Sequence, residues 1–219
     1  MSKYIWSDQD LAKLKQLILE RDKIVIFPHT GPDGDALGST LAWAGLLRSA
    51  HPGVSVHVIS PDPIESYLAW LPALDELVIF PLEEERSLQL IAEADLIFHL
   101  DHNQISRLRY PQLVKAATSA QAPRVLIDHH LYPEAGFDLT FSYADASATS
   151  ELIHALALAL GWRSAITPDL ATLLLTGIIT DTGRFMYSHL SPELFVTTSD
   201  LLALGADYPH AVSYTHLRA

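Results

Sequence analysis

Three apolar runs of this chain end in the same kinds of residue. Ile24–Phe27 leads into Pro28-His29-Thr30-Gly31-Pro32-Asp33-Gly34-Asp35, Leu96–Leu100 into Asp101-His102-Asn103, and Val125–Ile127 into Asp128-His129-His130. A further acid, Asp181, follows the apolar run LLLTGIIT and precedes Thr182-Gly183-Arg184. Carboxylates gathered at one place repel one another and raise each other's pKa values unless cations neutralise them. Asp33, Asp35, Asp101, Asp128 and Asp181, with His29 and His129, are far more acid than base. Divalent metal ions resolve that conflict. The chain has no cysteine, so the available ligands are oxygen and imidazole, which suit Mn²⁺ or Mg²⁺, and the two histidines favour Mn²⁺. Two such ions about 4 Å apart, bridged by a carboxylate, activate a water and stabilise the leaving oxygen in phosphoester cleavage.

Each residue alone has an ordinary reading. Pro-Asp-Gly is a turn signal, Gly34 and Gly38 serve equally as turn or packing glycines, and Asp35 serves equally as the N-cap of the helix that follows. His57, His99 and His154 fall inside strand or helix patterns and read as structural. The joint pattern carries the argument. Other phosphate and hydrolase machinery is missing from the sequence: there is no GxGxxG after the first strand, no GxxxxGK[ST], no HExxH and no GxSxG.

The elements that must position these residues follow from the apolar periodicity. Ser7 with Asp8 and Asp10 opens a capped amphipathic helix through Leu11, Leu14, Leu17 and Ile18. Strands are expected at 23–27, 54–60, 77–80, 95–101 and 124–128, and helices at 36–48, 83–93, 111–120, 149–160, 168–180 and 192–204. After residue 130 helices take over. Strands separated by helical segments imply an α/β fold with a mainly parallel sheet flanked by helices. In such a sheet, ligands bind beyond the carboxyl ends of the strands, near a switch in strand order, which is where the Asp and His clusters fall.

The formal charge is −12, from 26 acids against 14 bases. That surface is a poor match for duplex DNA or an anionic membrane, where Lys and Arg supply most of the affinity. Short nucleotides held through bound cations remain compatible with it. No apolar stretch reaches the roughly 18 to 20 residues of a membrane span, and no secretory signal is visible in the first residues. A cytoplasmic setting and a homodimer are the expectations. Gly205 is a plausible C-cap for the last long helix, and the closing VSYTHLRA reads as a truncated, non-native end.

With these motifs in place, the sequence resembles the DHH phosphoesterase superfamily. HTGPDGDALGS resembles its first motif, Asp101 its second, Asp128-His129-His130 the signature itself and GIITDTGRF the fourth, all in order within residues 24–189. The strings LDHNQISRL and ASATSELI are most similar to the bifunctional oligoribonuclease and pAp phosphatase group. The resemblance implies a two-metal hydrolase of short oligoribonucleotides and 3′-phosphoadenosine 5′-phosphate. The alternatives are an inorganic pyrophosphatase, exopolyphosphatase or cyclic-dinucleotide phosphodiesterase of the same superfamily, or an inactive metal-binding fragment. It further implies that His29 and Asp33 hold one metal, that Asp35, His129 and Asp181 hold the other, and that Asp101 bridges them. His130 would face the phosphate and Asp128 would orient a neighbouring imidazole, with Asn103, Arg107 and Arg184 as candidate contacts to substrate phosphate. Gly31 stands where this group commonly has Asn, and His102 where an aromatic is frequent. The expected organisation is a catalytic domain over 1–190 and a connector helix with a truncated tail over 191–219. The family's C-terminal substrate-binding domain is expected to be missing.

Overall fold

The computed structural model describes Tyr4, residues 6–187 and residues 190–214. Six strands form one sheet in the order β3-β2-β1-β4-β5-β6, every neighbouring pair parallel. They are β1 Lys23–Phe27, β2 Ser55–Ser60, β3 Leu77–Ile79, β4 Leu96–Leu100, β5 Arg124–Asp128 and β6 Leu139–Ser142. The helices are α1 Asp8–Leu19, α2 Gly34–Ala50, α3 Glu84–Glu93, α4 Pro111–Ser119, α5 Thr149–Ala159, α6 Pro168–Asp181, α7 Pro192–Ala203 and α8 Tyr208–Tyr214. The chain builds outward from β1 through β2 to β3, then returns to pair β4 with the other side of β1. The gap between the ends of β1 and β4 is therefore the switch point.

β1 and β4 are almost wholly buried, as strands covered on both faces must be. Alternate residues feed two cores. Ile24, Ile26, Leu96, Phe98 and Leu100 pack with apolar residues of α1, α2, α5 and α6, while Val25, Phe27 and Ile97 pack with Ile91 of α3 and Leu113 and Ala117 of α4. Ser7 caps α1 by accepting from the Asp10 amide, as expected. α2 lies so close to α6 that a Cβ on Gly38 would stand 2.4 Å from the Leu173 carbonyl oxygen. Gly38 is thus a packing glycine, and it fixes the helix that starts beside the site against the helix that ends there.

Two elements differ from the sequence reading. β6 lies outside the expected strands: LTFS is only four residues long and buries just Leu139 and Phe141, too short an alternation to register as a strand. α8 lies in the region read as a tail and buries Ala211. Of the closing string, residues 215–219 lie outside the described residues. No helix among the described residues is long and apolar enough to cross a membrane.

Candidate metal centre

His29, Asp101 and Asp128 follow or close β1, β4 and β5, three adjacent strands whose carboxyl ends open at one edge. α2 begins beside that edge. Asp33, not Asp35, is its N-cap: its Oδ1 accepts from the amides of Asp35 and Ala36 at 3.0 and 3.1 Å. Asp35 sits in the first turn, fully buried, and its carboxylate accepts from the Thr149 amide at 2.6 Å and the Ser150 amide at 2.8 Å. α5 has no side-chain cap of its own, so Asp35 satisfies its first amides and meets its positive end. Asp181 is the last residue of α6. Asp101 turns off β4 with a φ of 61°, a left-handed backbone that aspartate tolerates better than most side chains.

The described residues contain three groups able to hold a cation, each with ligand atoms within 4.8 Å of one another: His29 with Asp33 and Asp101, Asp35 with His129 and Asp181, and Asp101 with His129 and His130. Asp101 divides its two oxygens between the histidines. Oδ2 lies 3.4 Å from His29 Nε2 and Oδ1 lies 3.4 Å from His129 Nε2. His129 Nε2 is also 3.1 Å from Asp181 and 3.9 Å from Asp35, and His29 Nε2 is 3.9 Å from Asp33. Both rings are held from behind. His29 Nδ1 donates to the Thr30 carbonyl at 2.7 Å, and His129 Nδ1 donates to the Ala146 carbonyl at 3.3 Å. A carbonyl only accepts, so each Nδ1 carries a hydrogen and each Nε2 is turned toward the carboxylates, the arrangement by which outer partners orient metal-binding imidazoles. The donors are carboxylate oxygen and imidazole nitrogen, a set that fits a divalent cation of the Mn²⁺ or Mg²⁺ kind.

The electrostatics show the same imbalance. Burial opposes a charge on His29, but Asp101 and Asp33 outweigh it and raise its pKa to about 9. His129 is pushed up to about 12 against its burial by Asp101, Asp181 and Asp35. Burial would raise Asp101, yet the two imidazoles hold it well below the carboxylate range. Asp35 rises well above its ordinary value through burial and the charges of Asp101 and Asp181. Asp181 rises through burial, partly offset by its hydrogen bond to His129 and reinforced by Asp101 and Asp33. The excess of acid over base thus favours positive charge on both imidazoles.

His130 Nδ1 donates to Asp128 Oδ1 at 2.7 Å, so the fully buried Asp128 orients this ring. His130, Arg107 and Asn103 line an open cleft of about 690 Å³ together with His129 and Asp181. Asn103 spends its amide on the carbonyls of Leu131 at 2.7 Å and Tyr132 at 3.3 Å. Arg184 stands exposed in the turn after α6, outside that lining. His99 and His102 form a buried pair, His99 Nδ1 to His102 Nε2 at 2.9 Å, with His102 Nδ1 on the Leu100 carbonyl. His154 pairs with Asp200 and His57 with Ser55.

Two supporting residues escaped the sequence reading. Asp62, two residues past β2, accepts from the Thr30 hydroxyl, the Gly31 amide at 2.8 Å and Arg109 at 3.2 Å. It thereby clamps the loop whose Thr30 carbonyl orients His29. Thr149 donates its hydroxyl to Asp101 Oδ1 at 3.0 Å. Asp62 carried a weak signal, an Asp-Pro pair two residues past a strand, but nothing in the sequence says that β2 lies beside β1.

The description "DHH family, N-terminal domain" matches residues 23–178. The chain belongs to the DHH family. It is 33% identical over 193 residues to the bifunctional oligoribonuclease and PAP phosphatase NrnA of Mycoplasma pneumoniae, covering 87% of this chain and 56% of that protein. It is 30% identical over 203 residues to the cyclic-di-AMP phosphodiesterase GdpP of Geobacillus thermodenitrificans, covering 89% and 30%. The solved structure of an exopolyphosphatase-related protein from Bacteroides fragilis matches it with a TM-score of 0.93 at 32% identity, over 99% of this chain and 62% of that one. The chain spans about half the length of curated relatives such as NrnA. Its DHH string is Asp128-His129-His130, at the end of β5.

Proposed function

We propose that this chain carries the two-metal centre of a DHH phosphoesterase that hydrolyses short oligoribonucleotides and 3′-phosphoadenosine 5′-phosphate. The observation that carries the reading is Asp101, which offers one carboxylate oxygen to the His29 side and the other to the His129 side. His29, Asp33 and Asp101 would hold one ion, and Asp35, His129, Asp181 and Asp101 the other, with Mn²⁺ favoured over Mg²⁺. Bound there, such a pair supplies a water ionised near neutral pH and positive charge beside the phosphate.

The protein's own groups do the rest. The acids of the site supply negative charge that retains the cations, and the backbone anchors on His29 and His129 keep their Nε2 atoms turned inward. His130, fixed by Asp128 through Nδ1, has its Nε2 free to meet the phosphate and to stabilise charge on the leaving oxygen. Arg107, in the same cleft, contacts a substrate phosphate. The nucleotide preference leans on the similarity to NrnA; GdpP and the exopolyphosphatase-related structure mark the competing readings. A panel assay separates them. With Mn²⁺, the chain is expected to turn over di- to pentaribonucleotides and 3′-phosphoadenosine 5′-phosphate at least tenfold more efficiently than pyrophosphate or cyclic di-AMP. Turnover of pyrophosphate or cyclic di-AMP in preference would replace the reading, and saturable metal binding with no turnover would make this chain a metal-binding part that acts only within a longer protein.

A further inference from the structure

We infer that Tyr132 and Tyr187 form a stacking platform for a nucleobase at the rim of the metal centre. This rests on the reading of the site as a nucleotide phosphoesterase and adds the group that selects the substrate's base. Both tyrosines line the cleft that holds His129, His130 and Asp181. At about 690 Å³, that cleft falls within the roughly 300–1,000 Å³ range of small-ligand pockets. Tyr132 is 82% exposed and Tyr187 64% exposed, beside Leu131 and Met186 at 61% and 75%. Large side chains left in water next to a polar centre mark a surface built to be covered. A phosphate-cleaving centre holds the charged end of a nucleotide, and the flat aromatic end needs a ring to lie against.

The backbone that carries Tyr132 is fixed by its loop, and the Tyr187 ring is packed on one side. Tyr132 has a φ of 59°, a left-handed conformation unusual for an aromatic residue. It is held by the Asn103 amide on its carbonyl, and the loop is closed by Glu134 N donating to Asn103 O at 2.7 Å and Ile105 N donating to Glu134 Oε2 at 2.9 Å. A sparsely populated backbone kept by such a network is where strain has a use. Tyr187 lies against Gly183, where an added Cβ would be 2.5 Å from the ring carbons; only glycine lets that ring lie so close. Tyr132 also lines a second pocket of about 400 Å³ beside Trp6 and Tyr143.

The test compares binding of 5′-AMP and ribose 5-phosphate to the Mn²⁺-loaded full chain by calorimetry, with Tyr132→Ala, Tyr187→Ala and the corresponding Phe variants. The parent is expected to bind 5′-AMP roughly 5- to 100-fold more tightly than ribose 5-phosphate. Either Ala variant is expected to cut that ratio at least about fivefold while leaving ribose 5-phosphate affinity and melting temperature unchanged, and the Phe variants are expected to keep it. Equal binding of the two ligands by the parent, or an unchanged ratio in both Ala variants, overturns the platform alone. Binding of neither ligand overturns the platform together with the phosphate site. A ratio that depends on the tyrosines, with no hydrolysis of any nucleotide, leaves the platform standing and removes the proposed activity.

Discussion

Two pairs of histidines sit at the same edge of the same sheet and meet opposite fates. His29 and His129 follow β1 and β5 and face Asp101 between them. His99 and His102 lie on and just after β4, the strand between, with His99 packed between the rings of Phe27 and Phe137. Burial works against the charge on all four. For His29 and His129 the carboxylates win, and the rings are raised to about 9 and about 12. For His102 and His99 burial wins: His102 falls to about 4, and His99 well below its ordinary value with the neighbouring imidazole adding to the effect. What separates a histidine paired with the acids from a core histidine here is the face it is given. Period-2 alternation turns His99 toward the α3 and α4 side, away from the acids.

The comparison breaks first at Asp101. Asp101→Ala removes the carboxylate shared by both rings, and outer partners of a metal site alone are worth roughly 10- to 100-fold. Mn²⁺ affinity and any metal-dependent cleavage are expected to fall more than about 100-fold, and NMR titration of the metal-free variant should show the His129 pKa well below its parent value. Retention of tight binding of two Mn²⁺ by the variant would refute the shared-carboxylate arrangement.

The core pair makes the next largest prediction. His102 and His99 stay neutral in the fold and become charged once unfolded, so the unfolded chain binds more protons between pH 6.5 and about 4. Stability therefore falls as pH drops through that window. His29 and His129 run the other way: in the metal-free protein their contribution is complete below about pH 6.5 and is lost as pH rises through about 9 and about 12. A His99→Leu/His102→Phe double variant should lose on the order of 3 kcal/mol less than the parent on going from pH 7 to 4, measured by urea unfolding in chelator. Equal losses would show that the pair is not the acid-sensitive element.

Smaller effects sharpen the metal side. Asp62→Ala frees the loop behind His29 and is expected to weaken Mn²⁺ binding roughly 10-fold or more, with Asp62→Asn, which still accepts from Thr30 and Gly31, recovering part of it. Thr149→Val deletes one hydrogen bond to Asp101 and should cost about 2- to 10-fold. Affinities unchanged in both would remove these residues from the support of the site.

Much of this was legible in the sequence because its signals are local. Apolar runs ending in Asp and His located β1, β4 and β5 and the acid and imidazole cluster beyond them, and Ser7 announced the start of α1. What stayed hidden depends on contacts between distant segments. Whether Asp33 or Asp35 caps α2 is decided by α5, whose amides draw Asp35 away. The role of Asp62 depends on β2 lying beside β1, and that of Asn103 on the loop after β5. β6 is an edge strand whose stabilisation comes from pairing with β5, a partner no four-residue window displays.

The most direct test of the central claim is the binding of Mn²⁺ to the metal-free 219-residue chain, followed by calorimetry and electron paramagnetic resonance at pH 7.5. Two ions per chain, magnetically coupled, bound with release of protons and reduced to one or none in Asp101→Ala, are the predicted result. No saturable binding, or the same two ions in the variant, would contradict a metal centre built around Asp101.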